Sequence, residues 1–328
     1  MSEFLNHPVR AIAAKDLADA RRDHFILIVI GFIALAALTS LVTGAIALAN
    51  DVTTYNDAKA TLMALGKSLD GIAAPEFYPL KLLRGAIEQI EIIGAVLGIL
   101  AGFRAAVSER GRQTLALIMT RPVKSWQFLA GKYVSGVALL SLGLAAVFGL
   151  AAVTLQLTSG VGLQLADLGR IAIVWVTASA YVMVFYSLTF VLTLWAKSPA
   201  NALLLSFALW LLVVLVAPQV GDTLDPDNQV AGGVFKQLHV PKAEQNRIKA
   251  GYAGFETIRN GIEAASVTKH FERFSFAVLG IKDSYTGKPL GPILVEKRGD
   301  FLWILFTSLG LAALMLARPI NANRLTKE

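Results

Sequence analysis

Six long apolar runs limit what this chain can fold into more than any other feature. They cover residues 25–49, 87–106, 134–157, 171–195, 200–220 and 301–317. A bilayer core about 30 Å thick is crossed by a helix of about 20 apolar residues. Because no water reaches that core, each run must satisfy its own backbone as a helix. A mean hydropathy of +0.60 is also typical of a membrane protein. The sequence therefore predicts an all-α integral membrane protein with six transmembrane helices.

A leader of 24 residues precedes the first run. Its apolar positions recur at helical spacing between charged residues, and they are Val9, Ile12, Ala13, Leu17 and Ala20. This pattern predicts an amphipathic helix lying in the membrane interface. The motif ALAN at 47–50 resembles a signal-peptidase site, but the apolar run before it is longer than a secretory signal. An uncleaved first helix is therefore favoured over a removed signal.

The distribution of basic residues predicts the orientation. With a cytoplasmic N-terminus, the cytoplasmic segments are 1–24, 107–133, 196–199 and 318–328, which hold 13 Lys and Arg and six acids. The short outer link 158–170 holds one basic residue. Basic residues accumulate in short cytoplasmic loops, so we expect both termini in the cytoplasm.

Two extracytoplasmic segments follow from this topology. Residues 53–73 are predicted to form an outer amphipathic helix, with an apolar face of Tyr55, Ala58, Leu62, Leu65, Leu69 and Ile72. Residues 221–300, before the last span, are predicted to form a helical extracytoplasmic subdomain. Its 11 basic and 10 acidic residues nearly cancel, so it offers no surface for nucleic acid. The domain order is then the leader 1–24, spans one to five in 25–220, this subdomain, and the last span with its tail in 301–328.

The basic segment 108–122, between the second and third spans, is predicted to form a short helix. Ser108 is a candidate cap, a helix is expected from about Glu109, and Pro122 would end it. Glu109 is the only acid in this segment, so it lacks the paired groups that catalysis requires. The remaining choice is between a basic loop that anchors the topology and a docking element.

The motif in this segment resembles the permeases of type 2 ABC exporters. The matching positions are Glu109, Thr114, Leu115, Arg121, Pro122, Gly131 and Lys132. Within that family the chain is most similar to the branch of the nitrous oxide reductase maturation permease, which also has six spans and a KS-containing link like AKSPAN at 196–201. The resemblance extends from the leader to the fifth span and weakens in 221–300.

The resemblance implies that 108–122 is a cytoplasmic coupling helix on which a separate ATPase docks. The expected docking residues are Glu109, Arg112, Thr114, Leu115, Ile118, Met119, Arg121 and Pro122, with Lys197 and Ser198 as a second cytoplasmic contact. The chain has no phosphate-binding loop of its own, because LGKS at 65–68 has Thr61 where glycine is required. No cofactor is expected on this chain, and ATP and Mg²⁺ belong to the partner ATPase.

Two features lie inside the second run. Gly94, Gly98 and Gly102 are four residues apart and predict close packing of a second helix, in the same subunit or in another. Glu88 and Glu91 are three residues apart near the start of the run. Acids inside a membrane are often functional, so a gate or cargo role is one interpretation and a hydrated helix start is the other.

Together with the six spans, the resemblance to type 2 ABC exporters implies a permease subunit of an ABC transporter in the bacterial inner membrane. We expect two copies of the chain, two ATPase subunits and export or conformational signalling driven by ATP. One alternative is mechanotransmission to a periplasmic protein without cargo flux. Another is a membrane-embedded lipid-modifying enzyme that uses Glu88 and Glu91. The four histidines lack metal-binding spacing and cysteine is absent, so no metal site is expected. The cargo is not identified by the sequence.

Overall fold

The computed structural model describes residues 7–22, 24–65, 78–111, 123–158, 163–196, 198–224, 241–251 and 253–317. Within these ranges the regular elements are all helical. The first six α-helices are α1 (His7–Arg22), α2 (His24–Ala64), α3 (Arg84–Gln89), α4 (Ala95–Gly111), α5 (Ser125–Thr158) and α6 (Leu165–Trp195). The next are α7 (Pro199–Trp210), α8 (Ala217–Thr223), α9 (Lys242–Ala250), α10 (Ala253–Ala265), α11 (Val267–Val278), α12 (Leu290–Glu296) and α13 (Arg298–Leu316). Two π-helical segments, π1 (Ile90–Gly94) and π2 (Leu211–Val216), interrupt the second and fifth spans.

Six stretches are long and apolar enough to cross a membrane, as predicted. They are Leu27–Ile46, Pro79–Ser108, Ser125–Leu157, Leu165–Trp195, Pro199–Gly221 and Arg298–Leu316. The amphipathic leader is also confirmed as a helix, α1, which buries Val9 and Ala13. We call the end of the bundle that carries α1 the leader face and the opposite end the far face.

The outer helix expected at 53–73 is not a separate element in its described part. Residues 53–64 are the last turns of α2, which runs unbroken for 41 residues from His24. No proline interrupts this stretch, so nothing in it prevents the first span from continuing as one helix. Residues 66–73 lie outside the described part of the chain.

The fourth span, α6, is the centre of the bundle. Of its most apolar stretch 61% is buried inside the chain, compared with 17% for the fifth span. The second, third, fifth and sixth spans all contact α6. The fifth span instead exposes a leucine-rich surface on α7 and π2.

The glycines of the second span pack against α6 of the same chain. A Cβ added at Gly98 would lie 2.5 Å from the carbonyl oxygen of Val182, and one at Gly94 would lie 3.3 Å from the Val182 side chain. At Gly102 an added Cβ would collide with the backbone of Tyr186. These glycines therefore let two backbones approach more closely than any other residue would permit.

The helix α11 belongs to the bundle and not to a separate outer subdomain. Its Phe271 ring stacks on Tyr181 of α6 at a centroid distance of 4.6 Å. At its other end, the carbonyl of Val278 accepts a 2.6 Å hydrogen bond from the Arg170 guanidinium. Arg170 and Tyr181 are 11 residues apart on α6, or about 16 Å along the helix. The part of 221–300 that forms α11 therefore lies beside the far half of the fourth span.

A Schellman motif ends α11 and turns the chain back. Gly280 has φ of 64°, its N–H donates to the Ala277 carbonyl at 3.1 Å, and the Ile281 N–H donates to Phe276 at 2.9 Å. Glycine is favoured at this left-handed position, where a Cβ is strained. The turn directs the chain to α12 and then to the last span, α13.

We predict that Gly98→Ala destabilises the protein by about 1–3 kcal/mol, because its methyl group must displace the α6 backbone. The midpoint of thermal unfolding in detergent should fall by several degrees. Gly149→Ala is the matched control, since Gly149 also lies within a span and a Cβ there meets nothing within 4 Å. That change should leave the midpoint unchanged or slightly higher. Equal midpoints for the two variants would show that the close approach is not needed.

Candidate functional site

The leader helix α1 is fixed closely to the start of the third span. Gly131 makes this possible, because a Cβ there would lie 2.7 Å from Cγ2 of Ile12 and 3.2 Å from the Val9 carbonyl oxygen. Val9 is buried where α1 packs on α5. Gly131 of the recognised motif is therefore needed for the close approach of α1 to α5.

The next residue, Lys132, makes a buried ion pair with α1. Its side chain is 1% exposed, and its Nζ lies 3.0 Å from Oδ1 of Asp16. Nζ also donates to Oγ of Ser108 at 3.0 Å, and Ser135 donates to the second carboxylate oxygen at 3.3 Å. We call these four residues the latch. Because a buried ammonium group is costly without partners, the latch holds α1, α4 and α5 in one arrangement.

The fourth span, α6, also contacts the latch. The hydroxyl of Tyr186 donates to the backbone carbonyl of Lys132 at 2.7 Å. A Cβ at Gly136, one turn further along α5, would lie 2.5 Å from the Tyr186 ring. Tyr186 is itself 1% exposed, so four helices meet at this point on the leader face.

The predicted coupling helix lies mostly outside the described residues. This applies to Arg112, Thr114, Leu115, Ile118, Met119, Arg121 and Pro122. Glu109 is in the last turn of α4, which continues to Gly111. The expectation that Ser108 caps a new helix is wrong, since α4 passes through it. Its hydroxyl instead donates to the Ala105 carbonyl at 3.3 Å and accepts from Lys132.

The second predicted cytoplasmic contact is described in part. Ser198 is the N-cap residue of α7, with extended backbone (φ −123°, ψ 134°), and Pro199 occupies the first helical position. This arrangement is the usual way for a chain to enter a helix at Pro. Lys197 lies outside the described residues.

The two acids of the second span have different surroundings. Glu88 is about half exposed and accepts a 2.9 Å hydrogen bond from Nε of Arg84 on its own helix. Glu91 lies in π1, which contacts α11, and its carboxyl is within electrostatic range of Lys269 and Glu272 of that helix. The structure therefore places Glu91 against another element of the bundle, and Glu88 in a local pair of the kind found on helix surfaces.

A second charged network joins α10, α11 and α13 in the far half of the bundle. His270 Nδ1 lies 2.6 Å from Oδ1 of Asp300, at the start of the last span, and Nε2 lies 3.0 Å from the Ala264 carbonyl oxygen. Arg273 bridges Asp300 at 3.3 Å and Glu263 at 3.5 Å. His270, Arg273, Glu263 and Asp300 are thus paired with one another, which lowers the cost of burying their charges in an apolar bundle.

Two tyrosines at the far face have shifted acidities. Burial raises the pKa of Tyr78, and the nearby Arg170 partly offsets that rise. Burial is also the main cause that raises the pKa of Tyr285, with a hydrogen bond to Glu296 acting in the same direction. Both hydroxyls remain protonated at neutral pH, and that of Tyr285 donates a hydrogen bond to Glu296.

No group of three or more His, Asp or Glu suited to a metal ion occurs in the part of the chain that the structure describes. The network around His270 contains Arg273, whose guanidinium occupies the place beside Asp300. A cation in this position would be repelled by that charge.

Comparison with known proteins now decides the family. The family described as ABC-2 family transporter protein matches residues 10–278, from α1 through α11. The chain belongs to the ABC-2 transporter family. This ABC-2 member is therefore a multi-pass permease subunit of the kind that works with an ABC ATPase. The match is to the family as a whole and does not support the nitrous oxide reductase maturation branch. No curated protein matches the chain.

The latch was not predicted for this ABC-2 member, although Gly131 and Lys132 were part of the recognised motif. Asp16 and Lys132 are 116 residues apart, so no local pattern connects them. One signal was present: a lysine within a stretch apolar enough to be buried requires an acidic partner. The His270 and Asp300 contact, 30 residues apart, left no periodic signal either.

We predict that Lys132→Met lowers the stability of this ABC-2 permease by about 3 kcal/mol, because Asp16 is left as a largely buried, unpaired carboxylate. The midpoint of thermal unfolding should fall by about 5–10 °C. The double variant Asp16→Leu, Lys132→Met should recover most of this loss, since it removes both charges. A double variant no better than Lys132→Met would argue against the ion pair.

Proposed function

We propose that this chain is the membrane-spanning half of an ABC exporter in the bacterial inner membrane. Two copies would bind two separate ATPase subunits, which hold ATP and Mg²⁺, and ATP hydrolysis would drive export or a conformational signal. The observation that carries the proposal is the family match over 10–278, which includes both residues of the buried ion pair. ABC-2 permeases generally lack an ATPase site of their own, so the chain itself is not proposed to be an enzyme.

The latch supports the proposal because it connects the helices that flank the coupling segment to each other and to α1. Ser108, near the end of α4, and Lys132, near the start of α5, lie on the two helices that flank residues 112–122, and their side chains meet at 3.0 Å. The two helices that flank residues 112–122 are therefore joined to each other near the ends that face this part of the sequence. A force on it would reach α4 and α5 together and would also reach α1 through Asp16. Rigid-body movement of packed helices is a common way to transmit such a change.

In this proposal Leu115, Ile118 and Met119 occupy an apolar groove of the ATPase, while Arg112 and Arg121 contact its acidic rim. Charged rim contacts contribute mainly to orientation and to the rate of association. Ser198, with Lys197, forms a smaller contact between the fourth and fifth spans. Both termini would be cytoplasmic.

Signalling to an extracytoplasmic protein is the second candidate, and one observation favours it. The first span ends at Ile46, but α2 continues to Ala64. These 18 further residues extend roughly 27 Å past the apolar stretch. Exposed Val52 and Met63 lie on this extension. A rigid helix joined to a span and reaching beyond the membrane is suited to contact a partner there.

We predict that the double reversal Arg112→Glu, Arg121→Glu reduces co-purification of the ATPase by about tenfold or more, because like charges would then face its rim. The measurement is mass spectrometry of the complex purified from its native membrane in mild detergent. Arg10→Glu, Arg21→Glu is the matched control, with the same charge change on exposed positions of α1. This control should retain the ATPase.

The subunit composition of the same purified complex distinguishes a transporter from a signalling protein. Two copies of the chain with two ATPases support the transporter, and a further extracytoplasmic protein favours signalling. The chain alone, even after gentle crosslinking, would contradict ATPase docking.

The orientation can be tested directly because the chain contains no cysteine. Single cysteines at exposed Ala14 on α1 and exposed Asn56 on the α2 extension lie on opposite sides of the first span. We expect a membrane-impermeant maleimide to label Asn56→Cys in intact cells and Ala14→Cys only after permeabilisation. The reverse pattern would place the N-terminus outside.

A further inference from the structure

A cavity of about 1100 Å³ opens on the leader face beside the latch. It lies between α1, α4 and α5, and His24 at the start of α2 also lines it. The first span begins at Leu27, three residues after His24. The cavity is therefore at the level where the hydrocarbon core gives way to headgroups.

The charged part of its wall favours an anion. Arg22, Arg104 and Lys132 supply three cations, and Asp16 and Asp19 supply two carboxylates. Asp16 is already bound by Lys132 and Ser135. Arg22 and Arg104 are both exposed and belong to different helices, so the two guanidinium groups line one opening. Guanidinium groups are suited to bind phosphate oxygens in pairs.

The rest of the wall is apolar. Leu17 of α1, Phe103 of α4 and Leu139 of α5 line it. A soluble anion would gain nothing from these side chains, whereas the glycerol and first methylene groups of a lipid would be covered by them. The helix α1 is amphipathic and lies at the start of the spans, where lipid is the most abundant neighbour.

We propose that this cavity binds the phosphate headgroup of an anionic phospholipid from the leaflet at the leader face. Arg22 and Arg104 contact the headgroup, and Lys132 keeps its pair with Asp16 beneath it. The lipid then joins α1 to α4 on the open side of the latch. This inference concerns lipid binding alone and does not depend on ATPase coupling, so the two can fail separately.

The experiment is native mass spectrometry of the full chain released from nanodiscs that contain phosphatidylglycerol in phosphatidylcholine at graded ratios. We expect wild type to retain one phosphatidylglycerol per chain at low ratios. Arg22→Gln, Arg104→Gln should weaken this retention about 25-fold, since each basic residue near a membrane surface contributes about a factor of five. Arg10→Gln, Arg21→Gln is the control, because it removes the same charge from exposed positions outside the cavity.

A second variant tests the cavity without changing charge. Ala20 lines it, so the ring in Ala20→Phe should intrude into the space and weaken retention while leaving the unfolding midpoint near that of wild type. Glycerol 1-phosphate added in solution distinguishes a lipid from a free phosphate. It should not displace the retained lipid at millimolar concentration.

Three results would overturn the proposal. The first is equal loss of phosphatidylglycerol in the control double variant, which would indicate general surface charge. The second is wild-type retention in both cavity variants. The third is ready displacement by glycerol 1-phosphate, which would indicate a site for soluble phosphate esters.

Discussion

The close packing of the second span on the fourth is the contact on which the rest of the bundle depends. Between helices in lipid the hydrophobic effect contributes little, so association relies on contact area and hydrogen bonds. Gly98 and Gly102 bring α4 to the backbone of α6. Two tyrosines of α6 then donate to backbone carbonyls of neighbouring spans, Tyr181 to Glu91 at 2.8 Å and Tyr186 to Lys132 at 2.7 Å. The fourth span thus holds the far half and the leader half of the bundle through one rigid helix.

The sequence was sufficient for the spans because their length and hydropathy are local properties, set by the thickness of the bilayer. It was also sufficient for α1, whose periodicity shows in residues 9–20. It was insufficient for α11, which was expected within an extracytoplasmic subdomain over 221–300. This helix carries the charged residues Lys269, Glu272 and Arg273. These charges form pairs, such as Lys269 with Glu272 at 2.8 Å, while Phe271 and Phe274 are buried. Pairing between side chains distant in sequence decides such cases, and a single sequence does not record it.

The latch on the leader face likewise depends on pairing between side chains that are distant in sequence. A buried ion pair adds little net stability compared with apolar side chains of similar volume, but breaking it is costly. Its effect is therefore to select one arrangement of α1, α4 and α5. Gly131 fixes how closely α1 approaches, and Lys132 fixes its position along α5. The recognised motif thus contains residues of two kinds. Some belong to the proposed docking segment, and Gly131 and Lys132, which follow it in the sequence, hold α1 against α5.

The two π segments indicate where the bundle can bend. π1 interrupts the second span and π2 the fifth, and the two are in contact. A π segment contains an extra residue per turn and commonly marks a bend or a functional site. On one side of π1, α4 is held by the latch and by its glycines. On the other side, α3 is packed against α2 and α11. The first irregular backbone along the second span from the latch is therefore π1, which contains Glu91. π1 contacts α11, and α11 is connected to the last span through His270 and Asp300. Contacts thus run from the latch through α4 and π1 to α11 and the last span, and the irregular backbone of π1 contains Glu91.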